Sequence, residues 1–385
     1  MSIKRVGVIG GGQLAWMIGK AAKKLAIEII VQTPNARDPA VSVASDTVFA
    51  SVADADATAN LAKTCDLITF ENEFINLEQL SKLSQRGVCF RPKLDSLKPL
   101  LDKYNQRRFL CDLGLPVPKF VAFDVNMDAG EDLICRHLGL PLVIKARRHG
   151  YDGQGTHIVE NLKDLKAKLL FYKQNSTTTS LLLEQFISFE SELGVIATRS
   201  ATGEIAIHPV VETQQEAQVC RRAIAPADIP SHTVEEIKNI ASTILNKLEV
   251  VGTFGIEFFL SAESGLLVNE IAPRTHNCGH FSIDACQTSQ FEQHLRAICD
   301  FPLGNTTMTS PGAIMVNLLG TENSESDSRE KCQQIEQIPQ AHLHWYGKTE
   351  SRPGRKLGHV TVLLNTQSRD DALNVAHQIE SIWYS

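Results

Sequence analysis

Two apolar runs, FGIEFFL at 254–260 and LLVNEI at 266–271, flank the short turn SAESG, and each is interrupted by one acid, Glu257 and Glu270. Runs this short and this close pair as an antiparallel hairpin. Within a hairpin a one-residue slip moves every side chain to the other face, so register decides where the two acids go. We expect the register that sets Glu257 opposite Glu270, with side chains about 5 Å apart on one sheet face. A carboxylate in an otherwise buried strand is costly unless paired or bound to metal, and like charges at that separation need a cation between them. Two hard oxygen ligands with Asn269 alongside favour Mg²⁺, with Mn²⁺ as an alternative. Incidental acids on a solvated edge are the plainer reading of the same pattern.

The second run continues into APRTHNCGH, so the twelve residues from Asn269 to His280 carry one arginine, two histidines and two asparagines. Taken alone, that cluster fits a solvated loop, a metal site or a site for a small anion. Composition narrows the field. A chain of 385 residues implies two or three subdomains, and 43% hydrophobic with 21% charged residues is ordinary for a soluble globular protein. A net charge of -6 argues against a nucleic-acid binder, because neutralising a phosphate backbone needs clustered Lys and Arg. Nine cysteines without any C-x-x-C read as reduced thiols, and no apolar run approaches the ~18 residues that span a bilayer. A soluble, cytoplasmic protein with no membrane or nucleic-acid partner is expected.

The N-terminus opens with an apolar run at 3–9, three glycines, a helical pattern from Gln13 to about 25 and a second apolar run at 27–31. This is the β-Gly-α-β start of a parallel sheet. Short strands at 65–70 and 87–91 around a helix at 75–86 extend it to an α/β unit over 1–100. The turn around Gly10 and Gly12 can hold an anion at a helix N-terminus, or can simply pack. A dinucleotide enzyme would end the second strand in Asp or Glu, and Gln32 and Thr33 stand there instead. That disfavours hydride transfer and leaves a substrate phosphate as the ligand to consider.

A helix at 102–113 follows, then a lid-like α+β module over about 116–186 with strands at 141–145, 156–159 and 181–186 and helices at 130–139 and 161–173. Within it Lys145 ends a strand, and Gly150, Gly153 and Gly155 fill the next loop. Such a loop can close over a triphosphate beside a fixed lysine, although many glycine-rich loops are only flexible turns. Glu184, Gln185, Phe186 and Ile187 leave a strand where backbone groups can pair with an adenine edge, and Glu192 suits ribose hydroxyls. Strands prevail from 187 on, with helices at 233–248 and 282–299. A polar stretch at 320–337 precedes a last module at 341–383. The expected domains are 1–100, 101–318 and 319–385.

The ordered set GGGQL, TFENE, IKARRHGYDGQG, LEQFISFESE, GIEFFL, NEIAPRTHNCGH and HWYGKTESRPGRKLGH resembles the ATP-grasp enzymes. More narrowly it is similar to the ATPase subunits of phosphoribosylaminoimidazole carboxylase, the 5-(carboxyamino)imidazole ribonucleotide synthase family. The resemblance implies a Rossmann-like N-terminal domain, a central ATP-grasp domain with a mobile lid, and a small C-terminal domain, as a homodimer. It also implies a reaction in which ATP and bicarbonate form carboxyphosphate and the exocyclic amine of 5-aminoimidazole ribonucleotide is carboxylated. The product would pass to the next purine-pathway mutase.

Carried over by motif, Lys103 and Lys145 would bind ATP phosphates under the loop Gly150, Tyr151, Asp152, Gly153, Gln154 and Gly155. Glu184, Gln185, Phe186 and Ile187 would meet adenine, Glu192 the ribose, and Gln215, Asn269 and Glu270 would complete the nucleotide site. Glu257 and Glu270 would be the metal ligands. Arg274, His276 and Asn277 would hold bicarbonate, Tyr151 and Asp152 would cover the intermediate, and His280 would be structural. Gly12, Gln13, Glu73, Lys348 and Arg355 would bind the ribonucleotide. Ala15 and Trp16 depart from a glycine and an arginine of the family, and Gln215 and Gln218 from a histidine and a glycine. These changes put turnover in question and keep two rivals open: another ATP-grasp enzyme, such as a formate-using transformylase or a biotin carboxylase-like ligase, and a silent nucleotide-binding protein.

Overall fold

The computed structural model describes residues 3–126, 130–148, 155–175, 180–216, 218–324 and 328–385. Gly150, Tyr151, Asp152, Gly153 and Gln154 lie outside the described residues. Among the described residues the strands form three sheets. The first is parallel, in the order Asp46–Phe49, Glu28–Thr33, Arg5–Ile9, Leu67–Phe70. Val6, Val8 and Ile9 of its inner strand are fully buried, as expected for a parallel sheet covered on both faces. The run at 87–91 is not a strand but a single bridge between Phe90 and Ile68, because Pro92 offers no N–H to continue the ladder. The short edge strand Asp46–Phe49 is an addition, half-exposed and without an apolar pattern to announce it.

Gln32 closes the place where a dinucleotide enzyme carries its ribose-binding acid. Its Nε2 donates to Ser51 O (2.7 Å) and Asp54 O (3.0 Å), and its Oε1 accepts from Thr58 Oγ1 (2.8 Å). The buried amide is spent on its own domain.

The second sheet is antiparallel, in the order Phe120–Asp124, Ser180–Gln185, Leu142–Ala146, Thr156–Val159. With the helix Leu162–Asn175 it encloses a separate core of Phe123, Leu142, Ile144, Leu165 and Leu183. The third sheet has nine strands. Its path runs Gly265–Ala272, Gly252–Ser261, Ser191–Arg199, Val211–Glu216, Val219–Ala225, Gly312–Leu319, Lys356–Leu364, Ala341–Trp345, and Ile205–Ile207 pairs beside Ser191–Arg199.

The strand Gly312–Leu319 escaped the sequence reading because it is buried along its whole length and shows no alternation. Its even-numbered residues Ile314, Val316 and Leu318 share a core with Ala372, Ala376 and Ile379 of the helix Arg369–Trp383. Its odd-numbered Ala313 and Met315 pack with Phe281 and Ala285 on the other face. The C-terminal module is thus an extension of the central sheet. The helix expected over 282–299 is two, Ser282–Ala285 and Gln290–Ile298, because Cys286 bridges Met308 and Ser289 caps the second by accepting from Glu292 N (3.2 Å). No helix among the described residues is long and apolar enough to cross a membrane.

Candidate active site

A cleft of about 2040 Å³ runs between the modules, from Gly12 and Gln13 past Glu73, Arg274 and Lys348 to Lys145, Glu257 and Glu270. Glu257 pairs with Glu270. The route to that register is not the one a plain hairpin would take. From the turn, Ser261 pairs with Gly265 and the ladder continues to Phe258 and Val268, a spacing that would bring Glu257 opposite Asn269. A bulge there leaves Asn269 as the extra residue and restores the acid pair.

Burial pushes the Glu257 carboxyl up to about 8, with repulsion from Glu270 and Glu192 adding to it. Burial acts on Glu270 in the same sense, yet Lys103 Nζ at 2.6 Å from Oε2, with Lys145 behind it, holds that group below its ordinary value. The opposed acids and the Asn269 amide are a hard-oxygen donor set whose charge the protein only half neutralises. Among the described residues no cluster of three or more His, Cys, Asp or Glu could hold a metal ion. Two carboxylates and an amide oxygen are hard donors of the kind that suit Mg²⁺, which bridges one or two carboxylates to phosphates and water.

Lys103 opens the helix Lys103–Asp112, whose cap is Asp102, accepting from Tyr104 N (3.0 Å) and Asn105 N (3.1 Å). The same carboxylate takes Arg147 Nε (3.0 Å) and Arg148 Nε (3.4 Å), so the start of the glycine loop is tied to the Lys103 helix. Lys145 Nζ lies 2.6 Å from Glu184 Oε2 and donates to Asn269 Oδ1 at 3.4 Å. Glu184, buried between Arg107 and Lys145, is held at about 2 despite its burial. Its side chain fixes Lys145, which leaves only its backbone to face a base. Glu192 is pushed up to about 7 by burial and hydrogen-bonded by Gln215. Gln218, in the hairpin turn nearby, has φ of 65°, the left-handed conformation for which a glycine is suited.

The glycine turn holds an anion, but the anion is the protein's own. Gly12 N (2.7 Å), Leu14 N (3.1 Å) and Ala15 N (3.4 Å) all donate to the Glu71 carboxylate. A substrate phosphate on those amides is thereby displaced as a reading. Gln13 does face the cleft, and its Oε1 accepts from Lys348 Nζ at 2.8 Å. Burial, then repulsion from Arg355, push the Lys348 ammonium down to about 8. Arg355 itself donates to Glu350 O at 2.8 Å. Trp16 lies behind the turn, its ring centroid 5.8 Å from that of Tyr346 with Lys20 Nζ 3.8 Å from its centre, so neither it nor Ala15 lines the cleft.

Arg274 Nε lies 2.9 Å from Glu73 Oε1, and its Nη1 donates to Thr275 O at 3.1 Å. His276 Nε2 stands 3.7 Å from Glu257 Oε1, and its Nδ1 meets Cys278 Sγ at 3.3 Å. Gln290 clamps the His276 backbone in both directions, accepting from its N (2.9 Å) and donating to its O (2.7 Å). Asn277 exchanges side-chain hydrogen bonds with Asn317 of the strand Gly312–Leu319. His280 is fully buried, pushed well below its ordinary value by burial, and within 3.2 Å of Gln290 Nε2. Glu71, Asp102, Arg107, Gln290 and Asn317 were missed by the sequence reading. Asn317, a polar residue interrupting an apolar run, carried the same signal that drew attention to Glu257.

Comparison with known proteins agrees in extent as well as kind. Residues 3–99 match the ribonucleotide synthetase preATP-grasp domain, 108–291 the ATP-grasp domain and 313–372 the phosphoribosylaminoimidazole carboxylase C-terminal domain. The N5-carboxyaminoimidazole ribonucleotide synthase of Synechococcus elongatus is 52% identical over 385 residues, covering 99% of this chain and 96% of that one. The crystal structure of the Thermotoga maritima synthetase is 38% identical with a TM-score of 0.85, covering 99% of this chain and 98% of that one. The Aspergillus clavatus synthase in complex with ADP and 5-aminoimidazole ribonucleotide superposes with a TM-score of 0.87 at 28% identity, covering 100% and 99%. Three domains in the same order and this identity over nearly the whole length place the chain in the N5-carboxyaminoimidazole ribonucleotide synthase family of ATP-grasp ligases.

Proposed function

We propose that the chain carboxylates the exocyclic amine of 5-aminoimidazole ribonucleotide at the expense of ATP, using bicarbonate, in purine biosynthesis. The observation that carries this reading is the acid pair Glu257 and Glu270 at one end of a cleft whose other end holds Lys348 and Gln13. Arg274, held in its charged form by Glu73, Glu71 and Glu270, is the buried cation of the cleft between those two ends.

In this reading Lys103 and Lys145 hold the ATP phosphates, and the backbone at Glu184, Gln185, Phe186 and Ile187 meets adenine. Glu192, hydrogen-bonded by Gln215, takes the ribose. Mg²⁺, or Mn²⁺, held by Glu257 and Glu270, would neutralise phosphate charge as it develops. Arg274 and His276 orient bicarbonate so that one of its oxygens attacks the γ-phosphorus, the bond to the ADP oxygen breaks, and carboxyphosphate forms. The amine nitrogen then attacks the carboxyl carbon, inorganic phosphate leaves with the electron pair of the C–O bond, and the amine gives up a proton. Lys348, Arg355, Gln13 and Glu73 hold the ribonucleotide, and Tyr151 and Asp152 are assigned to cover the intermediate. Asn277, tied to Asn317, positions its neighbours rather than binding bicarbonate itself. We further assign the enzyme to the cytoplasm, in keeping with cysteines that form no disulfide among the described residues, and to a homodimer that passes its labile carbamate to the next mutase.

The test is ADP release with ATP and bicarbonate, with and without 5-aminoimidazole ribonucleotide, alongside product analysis. One ADP should form per ribonucleotide carboxylated. Turnover with formate in place of bicarbonate would assign a transformylase, and no ADP under any condition would leave a nucleotide-binding protein.

A further inference from the structure

The glycine turn of the N-terminal domain looks built for a ligand phosphate, yet a side chain fills it. We propose that Glu71 is a positioning residue: an internal anion that takes the place of a ligand phosphate at this turn and sets Gln13 and Lys348 for the phosphate of the ribonucleotide. This rests on the function proposed above.

The first support is geometric. Glu71 follows the strand Leu67–Phe70, and its own N donates to Ile9 O at 3.0 Å, so its backbone is held by the inner strand of the sheet. Its side chain then reaches the N-terminus of the helix Gln13–Ala22, where Gly12, Leu14 and Ala15 present N–H groups that no helical carbonyl uses. The glycines serve this contact. A Cβ on Gly10 would come within 2.7 Å of Glu71 Cβ, and one on Gly12 within 3.1 Å of Glu71 Cδ. Gly10 also has φ of 121°.

The second support is what the turn carries. Gln13 is the first residue of that helix, and its Oε1 accepts from Lys348 Nζ, which also donates to Lys356 O at 2.8 Å. Two of the three ammonium N–H groups are therefore directed by protein oxygens. Arg355 and Lys356 face Lys348 with like charge, while Glu71 and Asp38 favour its protonated form, and the Tyr346 ring lies 5.4 Å away. Glu71 also acts on Arg274. Burial pushes the Glu71 carboxyl up from its ordinary value, and the Gly12, Ala15 and Leu14 amides with Arg274 act against that shift, so it is the turn itself that favours the ionised form facing these cations.

The experiment compares wild type, Glu71→Gln and Gln13→Ala in the full chain, reading KM for ribonucleotide and for ATP and the pH profile of kcat/KM over about pH 6 to 9. Glu71→Gln should raise KM for the ribonucleotide about tenfold while KM for ATP stays within about twofold. Losing an anion beside an ammonium lowers its pKa, so the alkaline limb of kcat/KM for the ribonucleotide should move to lower pH. Gln13→Ala, at a half-buried position, removes the Lys348 contact directly and should shift the same limb in the same direction, while Glu71→Asp, which draws the charge back from the three amides, should shift it that way by less and decides the matter if Glu71→Gln does not fold. Equal rises in both KM values, or an unmoved limb in the folded variants, would reduce Glu71 to a packing residue and overturn the proposal. Wild-type protein that never consumes the ribonucleotide would instead sink the functional reading, and this inference with it.

Discussion

Asn277 Nδ2 donates to Asn317 Oδ1 at 3.0 Å while Asn317 Nδ2 donates to Asn277 Oδ1 at 2.8 Å, joining the loop after the acid hairpin to the strand Gly312–Leu319. Asn317 Nδ2 also reaches Cys220 O at 2.9 Å, so one amide ties together three segments. Replacing it leaves the Asn277 amide buried and unpaired. Asn317→Ala should cost about 1–3 kcal/mol of stability in urea unfolding, and should lower kcat through the displaced loop that carries Arg274 and His276.

Glu270 is gripped by Lys103 and opposes Glu257, so removing its charge disturbs the proposed metal donor set and frees the lysine at once. Glu270→Gln should lower the rate of ADP formation at least about 100-fold in a coupled ADP assay. Chelation of divalent cations should silence the wild type, and Mn²⁺ as well as Mg²⁺ should restore it. Full activity in the presence of chelator would remove the metal from the reading.

Arg107 and Lys145 sandwich a carboxylate that is 2% exposed. Arg107→Met leaves Glu184 with one partner and should cost about 3–5 kcal/mol. The pH dependence has a defined sign. Glu184 sits at about 2 in the folded protein against an ordinary 4.5, so its ion pairs stabilise the fold above the higher value and lose their effect as pH falls through the lower. With Arg107 gone the depression is smaller, and acid unfolding followed by circular dichroism should begin at higher pH than in wild type.

Gln218 occupies a left-handed conformation in the turn between Val211–Glu216 and Val219–Ala225. A residue with a Cβ is strained there by roughly 1–2 kcal/mol. Gln218→Gly should recover about 1 kcal/mol, seen as a higher midpoint in thermal unfolding, and a lower midpoint would show that the side chain makes compensating contacts.

Much of the architecture was legible wherever a local pattern coincided with a local structure. The glycine-punctuated opening, the helix Ser231–Leu248 and the acid hairpin all follow from periodicity and turn residues within about 20 positions. What escaped depends on distance or on accident of packing. Glu71 enters the glycine turn from some 60 residues away, so no motif could say that the anion site was already taken. The acid register was anticipated, but the bulge at Asn269 that produces it was not, because an extra residue in a ladder leaves no mark in the pattern. Glu184 was assigned by its place at a strand end, whereas its role follows from Arg107, an arginine in a helix with no feature to distinguish it from a surface one. The burial of Trp16 likewise depends on Tyr346, far off in the chain.

The strand-to-strand pairing that runs from Gly265–Ala272 to Lys356–Leu364 and Ala341–Trp345 has a mechanical consequence. Glu257 belongs to that array and Lys348 leaves its far end, so the acids proposed for the metal and the lysine proposed for the phosphate are carried by one hydrogen-bonded sheet rather than by two separate ones. Shortening the gap between the two substrates cannot be left to a swing of the C-terminal module. Under the proposed function, that task would fall to the separate four-stranded unit bearing Lys145 and to ligands cut to the span between the two ends.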